Sequence, residues 1–199
     1  MAKSWQDSVV LRGAGELAPF IHPAAVGEGM VEMEEGSSVW GGAVIRADMN
    51  HTRLGRYVNV QDNCVLHVDF RSIPTEIGDY SLVGHQAMIH NAKIGRACLI
   101  GIQSVILEGA EIGDGAMITA GCLIRGGTKI PPRALVIQKD GKLIIKEGAA
   151  RSLMTIVGSL EYAALVQRYR SGEVGTFSKE TDAEWKAEAK RIQVELGLK

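Results

Sequence analysis

The chain has 199 residues, a formal charge of −1 and 46% hydrophobic residues, with 24 glycines but only three tryptophans, four tyrosines and three phenylalanines. Five prolines and no Gly-X-Y period exclude collagen and proline-rich disorder, and the balanced charge leaves no basic footprint for nucleic acid or an anionic membrane. The opening MAKSWQDSVVLRG holds no apolar run of signal length, and no later run approaches the roughly 20 residues of a membrane span, so a soluble, cytoplasmic protein is expected.

Residues 1–20 read as an N-terminal lead-in. From 21 to 138 a repeat takes over. Aliphatic residues fall six apart at Met33, Val39 and Ile45, at Leu54, Val60 and Leu66, at Ile77, Val83 and Ile89, and then without interruption from Ile94 to Val136. Two insertions, after Ile45 and after Leu66, and one shortening, after Ile89, read as loops or tightened corners. Four residues after each aliphatic anchor stands a small or slim side chain, and the residue directly after it is often glycine, as at Gly55, Gly78, Gly84, Gly95, Gly101 and Gly113. A six-residue period suits neither a 3.6-residue helix nor a two-residue alternation. It suits three short strands per triangular coil, with anchors stacked inward and glycines relieving the corners. The expectation is a mainly β parallel β-helix of six to seven coils, roughly 30 Å tall at about 4.8 Å per layer, with a core too narrow for aromatic rings. Cys64, Cys98 and Cys122 form no C-x-x-C pair and all fall in the small-residue column, so they read as buried spacers with free thiols.

Beyond the repeat, residues 139–199 read as a hairpin and helical segment packed on the prism. A small hairpin is expected around Gln138–Lys142 and Leu143-Ile144-Ile145. A helix over Ala149–Arg170 follows from Leu153, Ile156, Val157, Leu160 and Ala164, ending at Ser171-Gly172. A second helix is announced by the capping-box pattern Thr181-Asp182-Ala183-Glu184, carries Trp185, Ala189, Ile192 and Leu196 on one face, and stops at Gly197. Both helices are expected to cover the side of the prism, although their stripes equally suit a neighbouring subunit.

The repeat register also places the histidines. His67 follows anchor Leu66 and His90 follows anchor Ile89, so the two imidazoles project from one face, one layer apart. That spacing lets two imidazoles share an ion with metal–nitrogen distances near 2.0–2.1 Å. His85 lies two residues after Val83, on the next face. It completes the set only if another copy of the chain brings it alongside, as a cyclic trimer does three times over. Arg46 shares the column of His67 and His90, whereas Gln61 and Asp62 share the face of His85, so Arg46 and Asp62 are expected to pair across the same contact.

The run Ile45-Arg46-Ala47-Asp48, then Asn59-Val60-Gln61-Asp62-Asn63, Val65-Leu66-His67, Val83-Gly84-His85 and Ile89-His90 resembles the γ-class carbonic anhydrases and their hexapeptide-repeat relatives, over about Ile21 to Val136. The resemblance implies a left-handed coil and a homotrimer with zinc at its interfaces, held by His67, His85 and His90, with Fe2+ or Co2+ as substitutes. It implies that Arg46, Asp48 and Asp62, with Asn59 beside them, tie subunits together and order the site, that Gln61 hydrogen-bonds the metal-bound water, and that Tyr162 approaches the pocket from a C-terminal helix. The activity implied is reversible hydration of CO2 to bicarbonate, with metal-bound hydroxide as nucleophile. Met49 stands after Asp48, leaving Asp69, Glu76 and His51 as candidates for proton transfer. Two alternatives stay open: acyl-coenzyme A transfer or thioester hydrolysis, as in other hexapeptide-repeat proteins, and a metal-bearing assembly protein without catalysis.

Overall fold

Each aliphatic residue of the six-residue period, from Met33 to Val136, turns inward and is 0–3% exposed. The cause is geometric: a two- or three-residue strand at every sixth position lets one side chain per strand face the axis, and stacking the coils removes it from water. The computed structural model describes residues 9–199; the first eight residues of the opening motif lie outside that range. The architecture is a parallel β-helix of seven turns followed by a hairpin and two helices. The first face stacks the start of Val44–Leu54 with Val65–His67, Met88–His90, Val105–Ile106 and Leu123–Ile124. The second stacks Phe20–Ile21, Ser38–Val39, Asn59–Val60, Leu82–Val83, Leu99–Ile100, Met117–Ile118 and Leu135–Lys139, and the third stacks the end of Val44–Leu54 with Thr75–Ile77, Lys93–Ile94, Glu111–Ile112 and Lys129–Ile130. The described part of the lead-in adds Val10–Leu11, paired with Glu32 and Met33.

The outward-pointing rows differ from face to face. On the first, Val26, Val44, Val65, Met88, Val105 and Leu123 stand in register, an apolar row running the height of the prism. On the third, Glu32, Arg53, Glu76, Lys93, Glu111 and Lys129 stand in register with alternating sign; Lys93 reaches Glu76 at 3.6 Å and Lys129 reaches Glu111 at 3.2 Å. The outward row of the second face is covered where Ser38, Asn59 and Leu82 lie buried, beneath a helix described below.

Three local expectations need correction. The insertion after Ile45 is no projecting loop: Val44–Leu54 is one eleven-residue strand that rounds the corner, and its register against Val26–Met33 shifts between Gly29 and Met30, so Asp48–Asn50 bulge outward. Gly29 is required there, since at φ +88° a Cβ would stand 2.0 Å from the carbonyl oxygen of Ala47. Glycines directly after anchors do not serve left-handed corners. They let coils stack closely: at Gly101 a Cβ would meet the Ala120 nitrogen at 2.5 Å. The left-handed residue comes two positions later, and there the chain places Tyr57, Asn63, Tyr80, Gln86, Ala97, Gln103 and Arg133 as well as glycines, each non-glycine costing about 1 kcal/mol or more.

Leu135–Lys139 and Lys142–Lys146 pair antiparallel through Asp140-Gly141, both at positive φ, the two-residue turn that Asp-Gly favours. Helix α1 spans Ser152–Ser171 and ends on left-handed Gly172. Helix α2 spans Lys179–Glu195 and is capped by Ser178, whose Oγ accepts from Thr181 N at 3.1 Å. The expected cap at Thr181 is therefore one turn late, because Ser178 offers its oxygen to the same backbone where the apolar stripe has not yet begun. Helix α1 lies on the second face, with Gly158 against Leu82. Its Ile156 and Val157 pack with Tyr80 and with Ala189 and Ile192 of α2, over the corner where Tyr57 and Tyr80 stack at 5.1 Å.

Candidate metal centre

Parallel pairing puts Arg46, His67 and His90 on successive rungs of the first face. The imidazole centroids of His67 and His90 lie 4.9 Å apart. His67 Nε2 is shielded from solvent and has no hydrogen-bond partner among the described residues, whereas most buried polar atoms find one. Burial, and then the Arg46 and His90 charges, hold the His67 pKa below the usual imidazole value, so the ring stays neutral with a lone pair to offer.

His85 sits at the next corner, on the second face, stacked above Asp62 through Gln86 N donating to the Asp62 carbonyl. Its Nδ1 lies 3.0 Å from Asp62 Oδ2; with that nitrogen donating its proton to the carboxylate, Nε2 is the nitrogen left with a lone pair. The backbone N–H of His85 donates to Gln61 Oε1 at 3.1 Å, and Gln61 Nε2 donates to Asn59 Oδ1 at 3.3 Å. Asn59 Nδ2 is buried without a partner among the described residues. Tyr162 comes from α1 and meets Trp40 edge to face at 5.5 Å. Burial, and secondarily the Asp62 charge, push its phenol up to about 12, so it keeps its proton at neutral pH.

One chain thus carries two groups of residues that do not meet. His67, His90, Arg46 and Asp48 occupy the first face; His85, Asp62, Gln61, Asn59 and Tyr162 gather at the second. Among the described residues no three His, Cys, Asp or Glu side chains converge to hold a metal ion. Within the chain Arg46 pairs with Asp48 at 3.0 Å, which holds that carboxyl below its usual pKa, and Asp62 pairs with His85, so the Arg46–Asp62 contact is not one that a single copy makes. Of the proton-transfer candidates, Asp69 opens the loop after His67, His51 follows the bulge in register with Met30, and Glu76 stands on the charged third face beside Lys93.

Sequence reasoning passed over Asn91. It is fully buried at the shortened corner with φ +44°. Its Oδ1 accepts from Asp69 N, and its Nδ2 donates to the Asp69 and Ile73 carbonyls, while Asn50 Nδ2 donates to the Ser72 carbonyl. The loop after His67 is thereby tied to the residue after His90. The signal was the missing residue of the period itself, since a shortened corner requires a left-handed residue and asparagine tolerates that region.

Imidazole nitrogens, one of them, His67 Nε2, shielded from solvent and without a partner among the described residues, are the kind of donor that a zinc-type dication takes. The comparisons agree with this chemistry. Residues 91–126 match the bacterial transferase hexapeptide family (six repeats). The chain is 40% identical over 141 residues to a probable carbonic anhydrase of Methanocaldococcus jannaschii, covering 66% of this chain and 88% of that one. It is 38% identical over 117 residues to the mitochondrial gamma carbonic anhydrase 2 of Arabidopsis thaliana, covering 56% of this chain but 42% of that protein, so it spans less than half the length of that plant relative. A solved structure titled a putative acetyltransferase of Bacillus cereus superposes with a TM-score of 0.65 at 35% identity, over 83% of this chain and 99% of that one. Given the coil, the paired histidines and these identities, the chain belongs to the γ-class carbonic anhydrase-like family of hexapeptide-repeat proteins.

Proposed function

We propose that this protein catalyses the reversible hydration of CO2 to bicarbonate as a homotrimer, with a zinc ion, or Fe2+ or Co2+, held by His67 and His90 of one protomer and His85 of the partner subunit. The observation that carries this reading is the His67–His90 pair at 4.9 Å, with His67 Nε2 shielded from solvent and without a hydrogen-bond partner among the described residues. The apolar outward row of the first face supports the assembly, because a full-height stripe of Val, Met and Leu is what a protein–protein contact buries. In a three-imidazole site such a dication would supply Lewis acidity that lowers the pKa of water to about 7.

The chain's own residues set up the rest. Asp62 fixes the tautomer and orientation of His85 by accepting its Nδ1–H. Gln61, held at both ends by His85 N–H and Asn59 Oδ1, retains one amide proton to orient the attacking water. Asn59 Nδ2 and the protonated Tyr162 phenol are donors suited to the oxygens of the bicarbonate product. Asp69, on the tethered loop beside His67, accepts the proton released to solvent. Arg46 faces Asp62 of the partner subunit at the same contact. Three buried free thiols suit a reducing compartment such as the cytoplasm, and among the described residues no helix is long and apolar enough to cross a membrane.

Stopped-flow hydration of CO2 by zinc-loaded protein tests the proposal. The wild type is expected to exceed His85→Ala by at least about a hundredfold, as loss of a ligand or its support costs metal affinity or activity on that scale; equal rates would overturn the reading. The likeness to a putative acetyltransferase favours a second reading, transfer or hydrolysis of an acyl-coenzyme A. Thiol release from acetyl-coenzyme A that survives His67→Ala and His85→Ala would establish that reading instead.

A further inference from the structure

In a solenoid, order along the chain is height along the axis. The rungs after the first-face anchors are Arg46, His67, His90 and Leu107, and the second-face corner column is Asp62, His85 and Ile102, joined upward by Gln86 N to the Asp62 carbonyl and Gln103 N to the His85 carbonyl. The two columns interleave: Asp62 falls between Arg46 and His67, His85 between His67 and His90, and Ile102 between His90 and Leu107. A cyclic assembly with parallel axes preserves heights, so each corner residue of one copy meets the gap between two rungs of the next. The chemistry matches at three successive levels. A carboxylate meets a guanidinium, an imidazole meets two imidazoles, and one coil higher, about 4.8 Å away, an aliphatic side chain meets an imidazole edge and a leucine.

Ile102 is the odd member of its column. In the isolated chain it is 48% exposed, whereas the two residues below it, Asp62 and His85, are polar. Gln103 Nε2 donates to Gln86 Oε1 at 2.7 Å, which stiffens the corner on which His85 and Ile102 stand. On the receiving side Leu107, above His90 in its column, and Val105 of the apolar row are half-buried. We propose that Ile102 of each protomer inserts between His90 and Leu107 of its neighbour, forming an apolar seal directly above the metal layer. The inference rests on the trimeric reading given under Proposed function and deepens it. The seal closes one side of the centre to bulk water, so exchange with solvent proceeds from the side of Gln61 and the Asp69 loop, and it holds the His90 ring in place.

The test is a pair of introduced thiols, Ile102→Cys with Leu107→Cys, oxidised with diamide and run on a non-reducing denaturing gel. The native thiols lie 0–1% exposed and stay silent. Covalent dimers and trimers are expected from the double variant and only monomers from either single variant. Elemental analysis and native mass of the wild type separate this proposal from the one beneath it. A trimer with one metal per chain whose double variant does not cross-link overturns the seal and leaves the centre standing. A metal-free trimer that cross-links supports the seal and overturns the centre, and a wild-type monomer overturns both. As a second measurement, Ile102→Glu is expected to release zinc to a chelator at least about tenfold faster than wild type, the scale of one lost buried aliphatic contact, with Ile102→Leu close to wild type. Equal release by all three chains in a metal-bearing trimer would overturn the seal.

Discussion

The three cysteines show what a narrow coil does to a side chain. Each fills the slim position beside an anchor, and burial pushes the thiols of Cys64 and Cys98 up to about 11 and about 12. A thiol that stays protonated is neither nucleophile nor ligand. Ellman's reagent at pH about 8, below those values, is therefore expected to find no reactive thiol in the native protein and three after denaturation. The same burial gives stability a sign in alkali. Above the ordinary thiol pKa near 8.5 the unfolded chain loses protons that the folded chain keeps, so stability is full below that value and falls as pH rises towards 11. Cys64 and Cys98 each contribute up to about 1.4 kcal/mol per pH unit to the loss. Tyr57, Tyr80 and Tyr162, all raised chiefly by burial, act in the same direction above their own ordinary value. Thermal unfolding at pH about 8 and about 10 reads the difference; a melting temperature that rises in alkali would contradict it.

Among the elements, the loop after His67 is held by two asparagines, Asn50 through the Ser72 carbonyl and, with more bonds, the buried Asn91. Three hydrogen bonds of Asn91 tie it down, and they lie in the interior, where an orphaned partner costs about 1–3 kcal/mol. Asn91→Gly keeps the left-handed corner and removes the ties; Asn91→Ala removes the ties and adds strain. Denaturant unfolding is expected to show a loss of about 2–4 kcal/mol for the alanine variant and less for glycine, with proteolysis concentrated within residues 69–74. Equal stability of all three chains would show that the loop needs no tether. The helices illustrate a different dependence. Gly172 marks the end of α1 wherever that helix packs, because a left-handed C-terminal residue is a local requirement. The start of α2, expected at Thr181, lies at Ser178, whose Oγ takes the Thr181 N–H, because a serine one turn earlier satisfies the same free backbone donor.

At the scale of the molecule, the three outward rows assign the prism its environments. Alternating charge on the third face keeps a sheet face solvated while its neighbours attract in pairs, each exposed pair contributing no more than about 1 kcal/mol. The first face carries no such protection, and in the proposed trimer a lysine there would be buried by a second copy. Val65→Lys is accordingly expected to shift the native mass to the monomer and abolish CO2 hydration, whereas Lys93→Glu on the third face leaves both the mass and the rate at wild-type values. Sedimentation velocity of the two variants decides the matter: an intact trimer for Val65→Lys, or dissociation by Lys93→Glu, would place the interface elsewhere.

The coil was legible in the sequence because its period is local: one inward anchor and one slim spacer in every six residues repeat whatever lies around them. The rungs of Arg46, His67 and His90 were legible for the same reason, since register follows from counting. What counting does not reach is contact between positions of unequal count. The rounding of the corner by Val44–Leu54, the corner residues at positive φ, the Asn91 tether and the pairing of Asp62 with His85 all depend on which backbone or side chain from another coil arrives alongside. The separation of the outward rows into apolar, covered and charged faces also emerged only with the tertiary structure, because it depends on where α1 lands. The sequence by itself determined the scaffold, the rungs that carry His67 and His90 and the placing of His85 on another face, because each follows from counting along the period; the tertiary structure decided which side chains pair within one chain, Asp62 with His85 and Arg46 with Asp48, because a contact between side chains depends on which neighbour the folded coils bring within reach.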